Sequence, residues 1–151
     1  MAYTPAGLPP PPLRIPPALT RLNRPFWTGG LDGELRIAKC GSCGRWSHPA
    51  PAVCRECLST DMRPTPVSGR GVVATYTVNY QQWSPRVAAD PYVVALVELD
   101  EQTGLRLVTN IVHVAPERVR IGMRVRALFE PVDDTAVPLF EPYPVEPAEA
   151  S

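Results

Sequence analysis

The segment CGSCGRWSHPAPAVCREC, residues 40–57, carries all four cysteines of a 151-residue chain as two Cys-x-x-Cys pairs ten residues apart. Two such turns present four thiolates to one ion, and a tetrahedral shell of four sulfurs at about 2.3 Å is the geometry of a structural zinc. Cys40, Cys43, Cys54 and Cys57 are therefore the expected ligands. Gly41 and Gly44 suit tight turns whose backbone N–H groups point at sulfur, because glycine takes positive φ without steric cost. Iron in a rubredoxin-like site uses the same ligand set. A redox disulfide is the third chemistry, here without the βαβ context of a thioredoxin-like motif. Four thiolates fill the shell and leave no position for water or substrate, so the metal is expected to be structural and not catalytic. His48, between the pairs, reads as an ordinary loop residue, since no ligand is missing.

Other residues with chemistry to offer are sparse. His113 follows Asn110-Ile111-Val112 at strand spacing and reads as a strand-end surface or packed residue. Glu98 and Asp100 close an apolar run and read as a solvated strand end. No nucleophile, base and orienting group stand together in a recognisable set, so the chain is expected not to be catalytic alone.

The elements that must position the cysteines follow from patterning. VVATYTVNY (72–80) alternates Val72, Ala74, Tyr76, Val78 and Tyr80 against Val73, Thr75, Thr77 and Asn79, which predicts a long strand. PYVVALVELD and LRLVTNIVHV flank the turn DEQTG as a hairpin. MRVRALFEPV is a fourth strand, with Met123, Val125, Ala127 and Phe129 on one face and Arg124 and Arg126 on the other. VPLFE, after a turn at Asp133 and Asp134, is the fifth, and APERVRIG between the third and fourth makes a short helical turn or bend. Five strands of this spacing predict a small OB-type barrel, with an SH3-like barrel or open sandwich as alternative topologies. Upstream, LTRLNRPFW is a short helix interrupted at Pro25 and ended by Gly29 and Gly30; Phe26 and Trp27 on it are core or interface anchors, one facing inward and the other a partner.

Eight of the twenty prolines fall in the first twenty-five residues. Proline lacks the backbone donor a helix or central strand needs, so that segment is expected to be an extended arm. The organisation read from the sequence is a mobile proline-rich arm over 1–19, a short helix over 20–34, a zinc ribbon over 35–66, a barrel over 67–143 and a mobile tail over 144–151. The fold class is mainly β: a short helix, a rubredoxin-like zinc ribbon, then a five-stranded OB-fold barrel.

Fifteen basic and fifteen acidic residues give zero formal net charge, which disfavours generic binding to a phosphate backbone. Neither an apolar signal region nor an eighteen-residue apolar run is present, so neither secretion nor membrane insertion is expected, and the chain reads as cytoplasmic. There thiols stay reduced, which favours metal ligation over disulfides.

The order PFW, GELRIAKCGSCG, CREC, SGRGVVATYTV, PYVVALVELD, TNI and IGMRV resembles the family of zinc-ribbon plus OB-fold proteins associated with acyl-CoA metabolism, over roughly residues 20–141. The segment SHPAPAVC departs from it at Ala50, where the family often carries a second consecutive proline. The resemblance implies an accessory partner of a thiolase-superfamily enzyme, with two copies of each chain. The partner would hold the catalytic residues and the barrel would help enclose the acyl-CoA substrate of the complex. Some actinobacterial relatives form a steroid side-chain retro-aldolase, which would release propionyl-CoA, and fourteen arginines to one lysine are compatible with the GC-rich genomes of that group. Under this reading Arg70 in the SGRG turn and Arg86 in QQWSPRVAADP are phosphate or partner contacts, and Trp83 in the same loop is an anchor, as are Phe26 and Trp27. The alternatives are a partner of an acyl-CoA thiolase, an independent acyl-CoA binding or transfer protein, and a nucleic-acid-binding module. The last would use exposed aromatics such as Tyr76 and Tyr80, but that strand lacks basic neighbours.

Overall fold

The computed structural model describes residues 14–82 and 90–144. Most of the proline-rich arm, the anchor Trp83, Arg86 and the end of the acidic tail lie outside the described residues. A short helix α1 (Arg24–Thr28) runs into a 3-10 turn (Gly29–Asp32) and then into β1 (Leu35–Cys40), β2 (Trp46–Ser47) and β3 (Met62–Val67), a three-stranded sheet in the order β2-β1-β3. β4 (Arg70–Asn79), β5 (Tyr92–Leu99), β6 (Arg106–Ile111), β7 (Arg124–Val132) and β8 (Thr135–Pro142) close into a barrel in the order β4-β5-β6-β8-β7. β4 pairs with β7 to close the ring, and β8 bridges to β6 in parallel through Ile111 and Phe140. This is the five-stranded OB arrangement that the strand spacing predicts.

Alternation puts Val93, Ala95, Val97 and Leu99 of β5 and Leu107 and Ile111 of β6 into the interior. β4 departs from the simple alternation expected for it. A bulge between Val73 and Thr75 shifts the register, so Gly71 and Val73 face inward before it, and Tyr76 and Val78 pack on the core after it. An extra residue in one strand reverses which parity is buried. Val72, placed by alternation on the face of Tyr76, is thus half-exposed, and Val73 is fully buried.

β3 has the sequence MRPTPV, and its two prolines conceal it from a pattern reading. Both lie on a strand at the end of its sheet, where a missing donor costs no ladder bond. Pro25 likewise does not interrupt the helix: α1 starts at Arg24, and Pro25 sits in its first turn, where N–H groups have no intrahelical partner. Gly29 and Gly30 do not end the helical path but carry it into the 3-10 turn. A side chain on Gly30 would collide with the Phe129 ring and meet Ala136 Cβ at 2.7 Å, so this turn rests directly on β7 and β8. Leu35 and Ile37 of β1 join the barrel's own hydrophobic core, with Phe26 packed against it. The ribbon is thereby fixed to the barrel by shared apolar burial.

Candidate metal centre

Two equivalent turns bring the four cysteines together. β1 delivers Cys40 at its end, and Gly44 N–H bonds back to Cys40 C=O at 2.9 Å; in the second turn Leu58 N–H bonds to Cys54 C=O at 3.0 Å. Gly44 (φ 77°) and Leu58 (φ 64°) hold the same left-handed position. Gly41 is needed for space and not for φ, because a side chain there would run into the Asp61 carboxylate and sit 3.0 Å from Arg63 Nε.

All four Sγ atoms lie within 4.8 Å of one another, with Cys40 to Cys57 at 3.5 Å and Cys43 to Cys54 at 3.6 Å. A tetrahedral shell with metal–sulfur bonds of about 2.3 Å has sulfur–sulfur edges of about 3.8 Å, whereas a disulfide requires about 2.05 Å. The cluster therefore matches a four-sulfur metal site, and all four thiols are free. The amides of Ser42 and Cys43 both point at Cys40 Sγ at 3.4 Å. The Cys43 N–H chiefly, helped by that of Ser42, brings the Cys40 thiol down to about 6. Cys54 is lowered in the same way by the amides of Cys57 and Glu56. Cys43 receives a lowering bond from the Arg45 amide, but burial and the adjoining thiols push it up to about 12. Cys57 is also raised, with the Cys40 contact and burial outweighing the Ser59 amide. Four sulfurs packed this closely oppose one another's ionisation, and a divalent cation is what lets all four ionise. The donor set thus fits a structural zinc.

The other singled-out residues lie apart from this centre. His48 is half-buried against the Phe26 ring, with centroids 4.5 Å apart, and burial lowers its pKa. Trp27 stands edge-on to Phe26 at 4.9 Å and is half-buried. Arg70 lies over the Tyr143 ring at 5.1 Å. His113, at φ 61°, pairs through Nδ1 with Glu141, which also accepts from Arg126 Nε at 3.0 Å. Burial raises the Glu141 carboxyl, but these two partners outweigh it and hold it low. Asp100, read as a solvated strand end, instead takes a two-bond clasp from Arg124 at 2.8 and 2.7 Å. Gln102 carried no signal in the sequence, yet its side chain joins the barrel to the ribbon through Trp46. No helix among the described residues is long and apolar enough to cross a membrane.

Two family models match consecutive parts of the chain: the rubredoxin-like zinc ribbon domain of ChsH2 over residues 27–63 and the C-terminal OB-fold domain of ChsH2 over residues 64–130. A solved Ltp2-ChsH2(DUF35) aldolase chain superposes with a TM-score of 0.74 at 37% identity, covering 83% of this chain and 98% of that one. A probable enoyl-CoA hydratase alpha subunit of Thermomonospora curvata is 37% identical over 131 residues, 86% of this chain and 40% of that protein. The 3-oxo-4,17-pregnadiene-20-carboxyl-CoA hydratase alpha subunit of Mycobacterium tuberculosis is 32% identical over 151 residues, 94% of this chain and 47% of its own length. The chain therefore spans less than half the length of these two curated relatives.

Proposed function

The chain belongs to the ChsH2/DUF35 family of zinc-ribbon plus OB-fold proteins, and we propose that it is the non-catalytic accessory subunit of a thiolase-like acyl-CoA enzyme. The reaction it serves is the retro-aldol cleavage of a steroid side chain. The observation that carries this reading is the match to the Ltp2-ChsH2(DUF35) aldolase chain across both ribbon and barrel. The steroid acyl-CoA named for the Mycobacterium tuberculosis relative supports the substrate class.

In this scheme a base on the partner takes the proton of the β-hydroxyl of a steroid acyl-CoA. The Cα–Cβ electrons pass to the thioester carbonyl, a 17-ketosteroid leaves, and protonation of the enolate yields propionyl-CoA. Cys40, Cys43, Cys54 and Cys57 hold zinc, which supplies cross-linking of the ribbon and no step of the reaction. The barrel walls the acyl-CoA and stabilises the partner in a complex with two copies of each chain. Phe26, Trp27, Arg70, Trp83 and Arg86 are the proposed contacts, and the complex is cytoplasmic, where thiols remain reduced.

Co-expression with a thiolase-like partner, then size-exclusion chromatography, metal analysis and a propionyl-CoA release assay, tests the reading. A stable complex with one zinc per copy of this chain, active only when both chains are present, is expected. Cleavage by the partner alone, with no complex formed, would sink it.

A further inference from the structure

A cleft of about 240 Å³ lies where the ribbon meets the barrel, below the roughly 300–1,000 Å³ of pockets that enclose a whole drug-sized ligand. It suits one end of a larger molecule. Leu35 and Phe129 line it with apolar surface, and Ser68, Arg70, Arg126 and Tyr143 with polar groups. The two guanidiniums share one aromatic ring: Arg70 stands 5.1 Å and Arg126 5.8 Å from the Tyr143 centroid. That ring fixes both cations, and the planar fork of arginine matches a phosphoryl oxyanion.

The local charges are unequally committed. Arg126 donates Nε to Glu141 at 3.0 Å, and the adjacent Arg124 is clasped by Asp100. The Arg70 guanidinium makes no hydrogen bond or ion pair among the described residues, and feels Asp100 only as a longer-range attraction. One positive charge at the cleft is thus left without a carboxylate of its own.

We propose that this cleft binds a phosphoryl group, namely the ribose phosphate at the nucleotide end of an acyl-CoA, with Arg70 as principal contact and Arg126 as second. The assignment rests on the acyl-CoA reading above. Titration calorimetry of the full chain with coenzyme A, 3′-dephospho-coenzyme A and inorganic phosphate tests it. Coenzyme A should bind about tenfold more tightly than the dephospho form, one charge-assisted contact being worth that factor. Arg70→Gln should erase the difference with Tm unchanged, while Arg118→Gln, on an exposed turn away from the cleft, should retain it. Equal affinity for the two coenzymes, or discrimination that survives Arg70→Gln, overturns the proposal. Phosphate binding that is lost with Arg70→Gln but comes without coenzyme discrimination overturns the coenzyme assignment in favour of free phosphate. Co-purification of Arg70→Gln with the thiolase-like partner is scored separately, so failure of the accessory-subunit reading is distinguishable from failure of this site.

Discussion

The side-chain amide of Gln102 forms a closed pair with the backbone of Trp46: Oε1 accepts the Trp46 N–H at 2.9 Å and Nε2 donates to the Trp46 carbonyl at 3.0 Å. The β5–β6 turn of the barrel therefore serves β2 as one more strand position. A second tie runs from Glu101, which accepts from both the amide and the hydroxyl of Ser68 at 3.1 and 2.6 Å. The same turn thus holds the ribbon by its short strand and by its exit to β4.

Gln102→Ala should lower stability by about 1–2 kcal/mol, the net worth of two hydrogen bonds on a half-buried backbone. It should also speed hydrogen exchange at the Trp46 amide while leaving the β5 amides protected. Unchanged exchange at Trp46 would mean that the apolar seat of Leu35 and Ile37 and the Glu101 to Ser68 tie hold the ribbon without it.

Zinc removal should act locally first. Structural zinc contributes roughly 10–16 kcal/mol of apparent binding energy to ribbons of this kind, and the two cysteine turns have few large apolar side chains to replace it. A chelator is expected to expose residues 41–61 to exchange and to leave the barrel strands protected. Cys54→Ser, at a fully buried sulfur, should give the same pattern with less than one zinc per chain by metal analysis. Simultaneous loss of barrel protection would show that Leu35 and Ile37 carry the disruption into the common core.

What the sequence displays and what it hides divide along physical lines. The cysteine spacing, the hairpin at Asp100 to Gly104 and the core face of β7 depend on local residue types, and the structure contains each of them. The bulge after Val73 inserts no special residue type and becomes visible only through pairing with β5. β3 goes without a strand signal in the sequence because its prolines are tolerated only at a sheet edge, a position set by topology. The Gln102 to Trp46 pair spans 56 positions, so no local pattern announces it. Tyr143 is the last residue of the predicted barrel, and no local pattern announces that its ring holds Arg70.

The Asp100 to Arg124 clasp predicts a modest acid dependence. The hydrogen bonds from Arg124 hold the Asp100 carboxyl below its ordinary value of 3.8. A carboxylate with a depressed folded pKa contributes its stability fully above the unfolded value and loses it as pH falls through the folded one. With 41% and 34% of the two side chains exposed, solvent screening limits the effect, so Asp100→Asn should cost no more than about 1 kcal/mol at pH 7. Denaturant titrations of both proteins should converge as pH drops below 3.8. A gap that persists under acid would assign the loss to packing.

Leu58 offers a test of stored strain. It holds at φ 64° the position that Gly44 fills in the first turn, and its side chain is 75% exposed. A non-glycine residue in that region costs about 1–2 kcal/mol, while glycine loses roughly 0.5–1 kcal/mol more chain entropy on folding. Leu58→Gly should therefore be neutral or stabilising by up to about 1.5 kcal/mol, with zinc stoichiometry unchanged. A clear destabilisation in thermal melts would mean that the exposed leucine makes a contact worth more than its strain.

Barrel closure at β8 turns on Phe140. Its ring is fully buried, its carbonyl accepts from the Val112 amide at 2.8 Å, and its backbone pairs with Ile111 on one side and Ala127 on the other. It is thus the residue at which β6, β7 and β8 meet. Phe140→Ala should cost about 3–5 kcal/mol, the range for emptying an aromatic site in a packed core. Val108, on the outer face of β6 and 70% exposed, supplies the contrast: Val108→Ala should stay within about 0.5 kcal/mol of the parent in the isolated chain. If Val108→Ala also weakens co-purification with the proposed partner enzyme, the outer face of β6 belongs to the interface. If it does not, the contact lies elsewhere, and the junction cleft with Arg70 becomes the surface to map next.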